Sequence, residues 1–174
     1  MLDRGKTIDL GNCKFNLEVE FFGEHGEFSY QTLFSSCADL CAQAGDENIM
    51  HGDNWNYWNP QSNVWTIPPG ERATIGTGLR IVSYVPMMTS SIVPEILIRP
   101  RSSFTRLGMM VHLGTVDMDY RGEICVNLEN NSKRYWIITP GDRIAQATMG
   151  VTIRMPGVEV KKKEREGGFG STGV

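Results

Sequence analysis

The 174-residue chain lacks any apolar run near the ~18 residues that a membrane-spanning helix needs, so no membrane role is expected. Its opening residues, Met1-Leu2-Asp3-Arg4-Gly5-Lys6, lack the apolar stretch of a secretory signal, and the expectation is a soluble, cytoplasmic protein. A basic excess is also missing. Seventeen Lys and Arg against 20 Asp and Glu leave a net charge of −3, which argues against a general nucleic-acid binder. A small anion remains within reach, because a few placed arginines and backbone N–H groups hold one locally. Cysteine is sparse: Cys13, Cys37, Cys41 and Cys125 contain no CxxC spacing, and His25, His51 and His112 are scattered. Buried or free thiols are therefore expected rather than a zinc site or a disulfide. Helical periodicity is scarce too; only Ser102 to Gly108 reads as one short helical turn, with Ser as N-cap and Gly as stop.

What is present is punctuation. Nineteen glycines and eight prolines separate brief β-branched and aromatic runs such as Ile81–Val85, Ile96–Ile98, Ile124–Leu128 and Tyr135–Ile138. Each is too short for a helix, and Ile67-Pro68-Pro69-Gly70-Glu71 and Thr139-Pro140-Gly141-Asp142 are turn signals. The pattern predicts an all-β barrel or jelly roll with at most one short helix. One domain is expected over 1–160, followed by a flexible charged and Gly-rich tail over 161–174. Residues 41–66 stand apart as a polar insertion carrying Trp55, Tyr57, Trp58 and Trp65, read as a loop or hairpin packed on its own rings. The other reading of the Trp55–Trp58 insertion is a protein-binding surface, since exposed Trp and Tyr are enriched at contacts.

Three segments carry candidate chemistry. Gly114-Thr115-Val116-Asp117-Met118-Asp119-Tyr120-Arg121-Gly122 reads as a β-hairpin with a carboxylate at its entrance and a ring at its tip. A carboxylate so placed can deprotonate a water, although Asp also often does no more than cap a turn. Arg99-Pro100-Arg101-Ser102-Ser103 combines charge, hydroxyls and N–H donors as a phosphate cradle would. Gly141-Asp142-Arg143-Ile144-Ala145-Gln146 reads as a turn feeding a strand, with Gln146 facing away from the core.

Taken in order, Ala38-Asp39-Leu40, Arg101-Ser102-Ser103, Gly114 to Gly122, Gly141 to Gln146 and Gly167-Gly168-Phe169-Gly170-Ser171-Thr172-Gly173 form a series. It resembles the five ordered motifs of the trimeric dUTP diphosphatases, the dUTPase family, and Pro68 to Leu79 is similar to that family's stretch between the first two motifs. The resemblance implies hydrolysis of dUTP to dUMP and pyrophosphate with Mg²⁺, in a homotrimer with shared active sites. It implies that Asp117 is the general base and that the Tyr120 ring lies under the deoxyribose. Backbone near Gly114 and Thr115 would read uracil. Arg101, Ser102, Ser103 and Gln146 would contact or support the phosphates, and Asp142 would be the acidic partner of Arg101. Asp39 would lie near the hydrated Mg²⁺ that the triphosphate carries. In the tail, Phe169 would stack on uracil, Ser171 and Thr172 would meet the γ-phosphate, and Gly170 would also contact the substrate. The family's usual tail arginine, five positions before that Phe, is Glu164 here; either Arg165 replaces it or the clamp is weaker.

Two rival readings remain. Arg101 to His112 also resembles the matching segment of dCTP deaminases of the same fold, which need a Glu five residues past the hairpin glycine. That position is Asn127, with Glu129 two further on. The other rival is a regulatory protein that uses a nucleotide pocket as a switch.

Overall fold

The computed structural model describes residues 6–9, 14–45, 57–86 and 92–157. The strands are β1 (Lys6–Asp9), β2 (Lys14–Phe21), β3 (Ala38–Cys41), β4 (Trp58–Asn59), β5 (Val64–Ile67) and β6 (Arg72–Pro86), then β7 (Ile92–Arg99). The helix α1 (Ser102–Arg106) follows, then β8 (Met109–Val111), β9 (Gly114–Asp117), β10 (Glu123–Asn130), β11 (Trp136–Ile138) and β12 (Arg143–Ile153). Ile81–Val85, Ile96–Ile98 and Ile124–Leu128 lie wholly in strands, and Tyr135–Ile138 does from Trp136 on.

Three sheets enclose one core. Their orders are β1-β2-β6-β10-β8, β3-β12-β7-β9 and β11-β5-β4, and the pairings are antiparallel. Period-2 alternation decides which face each strand buries: in β10, Ile124, Val126 and Leu128 point inward, while Glu123, Cys125, Asn127 and Glu129 alternate outward. Ile75, Leu79, Ile98, Met109 and Ile144 meet them from the other strands. The result is the all-β, jelly-roll-like arrangement that the punctuation predicts, with one short helix.

Two expectations need correction. Trp65 is not a surface aromatic: it is 1% exposed, sits in the core, and donates its Nε1–H to the Gln43 carbonyl at 3.0 Å. Strand β5 alternates inward at Trp65 and Ile67, and that period outweighs the polar neighbourhood. Trp58 leans on Trp65 with ring centroids 5.3 Å apart, whereas Trp55 falls outside the described residues. The segment 114–122 is not a hairpin either. Strand β9 pairs with β7, and β10 pairs with β6 and β8, so the turn between them carries the chain from one sheet to another. Met118, 3% exposed, fills the gap at that crossing.

One apolar face continues past the core. Met149, Val151 and Ile153 of β12 stand opposite Ile96, Pro94 and Ile92 of β7, yet are 37%, 48% and 76% exposed.

Candidate active site

The four-stranded sheet sets the positions of the candidate residues. Its register places Gln146 opposite Asp39 on one side and Arg99 on the other. The chain leaves β7 at Arg99, turns at Pro100, and enters α1. The helix begins at Ser102 with Arg101 as N-cap and no capping side chain, so Ser102 is a helical residue and not the cap that the sequence suggested. Gly108 stops it as expected, with φ +85°. Phe104 anchors the helix against Trp136, ring centroids 5.0 Å apart.

A cleft of about 670 Å³ opens where these elements meet. Asp39, Arg101, Ser102, Ser103 and Gln146, drawn from three separated motifs, line it together. Asp39, its side chain only 7% exposed, accepts from Arg101 Nε at 3.0 Å on one oxygen and from Arg143 at 3.2 Å on the other. Arg101 also donates to the Arg143 carbonyl at 2.9 Å. Gln146 donates Nε2–H to the Pro100 carbonyl at 2.8 Å, which fastens the start of the phosphate-cradle segment to β12. A single buried carboxylate thus orients two guanidinium groups at the rim, the arrangement in which a charge-assisted pair is most directional.

Asp142 does not partner Arg101. It closes its own turn: its carboxylate accepts the Thr139 N–H at 2.8 Å, and its N–H donates to the Thr139 carbonyl at 2.9 Å. The register brings Asp39 beside Arg101 instead, and the Pro140-Gly141 turn keeps Asp142 for its own backbone. Arg143 had no assigned role, and Gln31, Ser35, Thr105 and Arg106 also line the cleft without belonging to any motif residue named from the sequence. For Thr105 and Arg106 a signal existed: residues one turn beyond Arg101 and Ser102 share their side of a helix.

The third-motif residues lie elsewhere. Asp117 stands opposite Glu95, four residues down β7 from Arg99, so about 13 Å along the ladder from the Gln146 level, and three strands across from Asp39. Neither Asp117 nor Tyr120 lines the cleft. Asp117 and Thr115 are exposed, and Gly114 is half-buried. Tyr120 closes the turn, its N–H donating to the Asp117 carbonyl at 3.0 Å and its hydroxyl to the Glu123 carbonyl at 2.9 Å. Its ring covers Gly122, where an added Cβ would meet the ring carbon Cζ at 2.7 Å. Burial pushes the Tyr120 phenol up, and the neighbouring Cys125 and Glu123 push the same way. Cys125 itself is raised to about 12 by burial and then by Glu123. The tail residues Arg165, Phe169, Gly170, Ser171 and Thr172 lie outside the described residues.

The residues the deaminase reading needs are engaged away from the cleft. Asn127 accepts from the Thr74 hydroxyl at 2.7 Å, and Glu129 meets Arg72 Nε at 3.0 Å and His112 Nε2 at 2.8 Å. Cys37, Cys41 and Cys125 are free thiols, as expected. Among the described residues no group of three His, Cys, Asp or Glu side chains is arranged to hold a metal, and no helix is long and apolar enough to cross a membrane.

Comparison with known proteins adds the following. A family model described as dUTPase matches residues 63–173. The deoxyuridine 5'-triphosphate nucleotidohydrolase of Crocosphaera subtropica is 41% identical over 115 residues, covering 62% of this chain and 76% of its own. That of Caulobacter vibrioides is 37% identical over 125 residues, covering 66% and 74%. Among solved structures, a mutant dUTPase of phage phi11 of S. aureus, which coordinates a structural Mg(II) ion, gives a TM-score of 0.57 at 16% identity, covering 86% of this chain and 99% of its own. The dUTPase of Streptococcus mutans gives 0.56 at 16% identity, covering 80% and 98%. At that identity the structural likeness concerns the fold.

Proposed function

The chain belongs to the dUTPase family, and from that premise we propose how it hydrolyses dUTP to dUMP and pyrophosphate. The observation that carries the reading is the separation just described: β7 leads at its Arg99 end into a cleft of arginine and hydroxyl groups, and an exposed aspartate stands beside Glu95, halfway back along the same strand. Each holds half of the required chemistry. In a homotrimer the Asp117 turn of one copy meets the cleft of another.

In that shared site Asp117 accepts the proton of the water that attacks the α-phosphorus, which is general-base work within hydrogen-bond reach of the nucleophile. Arg101, Ser102 and Ser103 bind the phosphate chain, and Gln146 holds their segment in place. Phosphoryl cleavage is mostly positioning and charge stabilisation, which suits a cradle whose donors are already oriented. Strand β9 is an edge strand. An edge leaves alternate N–H and C=O groups open, and this supports uracil reading by the backbone at Gly114 and Thr115. Tyr120 packs under the deoxyribose and excludes a 2′-hydroxyl. In the tail, Phe169 stacks on the base while Arg165, Gly170, Ser171 and Thr172 close over the phosphates. The uncovered Met149, Val151 and Ile153 support assembly, because contiguous exposed apolar surface marks contact sites.

Mg²⁺ fits this site only as an ion carried by the triphosphate. Both Asp39 oxygens already accept from arginine, so the carboxylate has lone pairs left for a coordinated water rather than for a bare ion. Mg²⁺ retains several waters and takes few protein carboxylates. When bound with substrate it supplies charge neutralisation on the phosphates. Free thiols at Cys37, Cys41 and Cys125 fit a reducing, cytoplasmic setting.

Incubation with dUTP and with dCTP in the presence of Mg²⁺ tests the reading. The expected products are dUMP and pyrophosphate from dUTP, with no ammonia from either nucleotide. Ammonia release, or absence of turnover, would overturn it.

A further inference from the structure

The cleft contains a cation that the proposed chemistry has not yet used. Arg106 closes α1 and lines the cleft with Ser102, Ser103 and Thr105. It lies four positions after Ser102, so the two side chains share one face of the helix, about 5–6 Å apart at Cβ. The opposite side of α1 is fixed by Phe104 against Trp136, which keeps the Ser102 and Arg106 face turned to the cleft.

The charges around the cleft are uneven. Arg101 and Arg143 share the single carboxylate of Asp39. Arg106 is exposed, and among the described residues it forms neither an ion pair nor a hydrogen bond. Helix α1 itself carries no acidic residue that could pair with it. Even with Mg²⁺ on it, a triphosphate keeps about two negative charges, and Arg101 and Arg143 together offset one once Asp39 has taken its share. A guanidinium with five donors and no internal acceptor is the side chain suited to the remainder.

We propose that Arg106 is a substrate-binding residue for the β- and γ-phosphates, making the outer wall of the cleft a polyphosphate subsite distinct from the α-phosphate position. This rests on the dUTPase reading of the site. Exposure suits the role: the guanidinium exchanges water for phosphate oxygen when the chain enters. The alternative is a surface arginine whose only role is to face the carbonyl end of a short helix.

The two roles part on ligand length. Binding of dUMP, of the imido analogue of dUTP and of inorganic tripolyphosphate, each with Mg²⁺, is measured by calorimetry for the parent protein, Arg106→Gln and Arg106→Lys. Loss of a charge-assisted bond predicts that Arg106→Gln weakens the dUTP analogue and tripolyphosphate roughly ten- to hundredfold. Its affinity for dUMP and its melting temperature should match the parent, and Arg106→Lys should recover part of the loss. Equal weakening of dUMP and the analogue, or no weakening of either polyphosphate, would overturn the proposal. A parent protein that binds tripolyphosphate through Arg106 yet leaves dUTP intact would fail the dUTPase reading and keep the subsite.

Discussion

The cleft beside α1 and the turn after β9 hold their polar groups by different means. At the cleft, opposite charges set the geometry: Asp39 draws in Arg101 and Arg143, and Gln146 ties down Pro100. At the turn, packing and hydrogen bonds to the backbone set it, among them Arg121 donating to the Met118 carbonyl at 2.6 Å. Met118 plugs the crossing between sheets, the Tyr120 ring covers Gly122, and the phenol and the Cys125 thiol are kept protonated by burial. The first region is built to meet anions and the second to shape an apolar contact with the exposed Asp117 at its rim. In the proposed reading, neither region completes a reaction centre inside one chain.

The sharpest way to break this division is to remove the proposed base, Asp117, and leave everything else. Asp117→Asn preserves size and lies on an exposed position, so the expected outcome is a kcat lower by ~10²–10⁴ with KM for dUTP and melting temperature near the parent values. Mixed with Arg101→Gln chains, which keep the turn but lose the cleft cation, Asp117→Asn chains should regain activity through sites drawn from one copy of each kind. A monomeric mass in solution, or no recovery after verified subunit exchange, would count against shared sites.

A smaller effect sharpens the apolar side. Tyr120→Ala should raise kcat/KM for UTP relative to dUTP by about tenfold, since a pocket that rejects one added hydroxyl by contact alone discriminates modestly. Equal losses on both nucleotides would reduce the ring to a support for Gly122.

Weaker still, but specific to the turn, is its response to alkali. The Cys125 thiol titrates near 9.0 when unfolded and at about 12 in the fold, so between those values the folded state binds the extra proton. Stability is therefore intact below pH 9 and falls as pH rises, by about 1.4 kcal/mol per pH unit at most for this group. Urea midpoints at pH 8, 9 and 10 should decline for the parent and decline less for Cys125→Ala. Parallel slopes would remove Cys125 as the cause.

The sequence read far better along strands than across them. Ile124–Leu128 and Ile96–Ile98 announce themselves because β-branched residues between turn signals leave few alternatives. Ser102 to Gly108 was likewise legible as the one helical turn. What failed were statements about partners. The turn at 117–122 looks like a hairpin locally, and only the pairing of β9 with β7 shows that the two arms belong to different sheets. The resemblance put Asp142 beside Arg101; register put Asp39 there instead, 62 positions away along the chain. Trp65 was obscured by its polar surroundings, although the alternation Val64-Trp65-Thr66-Ile67 was there to be read. Arg106 carried no motif and emerged only when the cleft had walls.

Helix α1 has five residues, far short of the ~12–15 at which a helix begins to hold itself in water. Its rigidity is borrowed. Phe104 rests on Trp136, Trp136 belongs to β11, and β11 is paired along β5 to Trp65 and Ile67 at the far side of the core. The proposed seat of the phosphates is therefore the free end of a lever whose fulcrum is the small three-stranded sheet, and the Trp58–Trp65 ring pair is on the other arm. A substitution that loosens those rings is therefore expected to weaken the proposed phosphate cradle through α1 before it touches the Asp117 turn, which is braced by Met118 and β7.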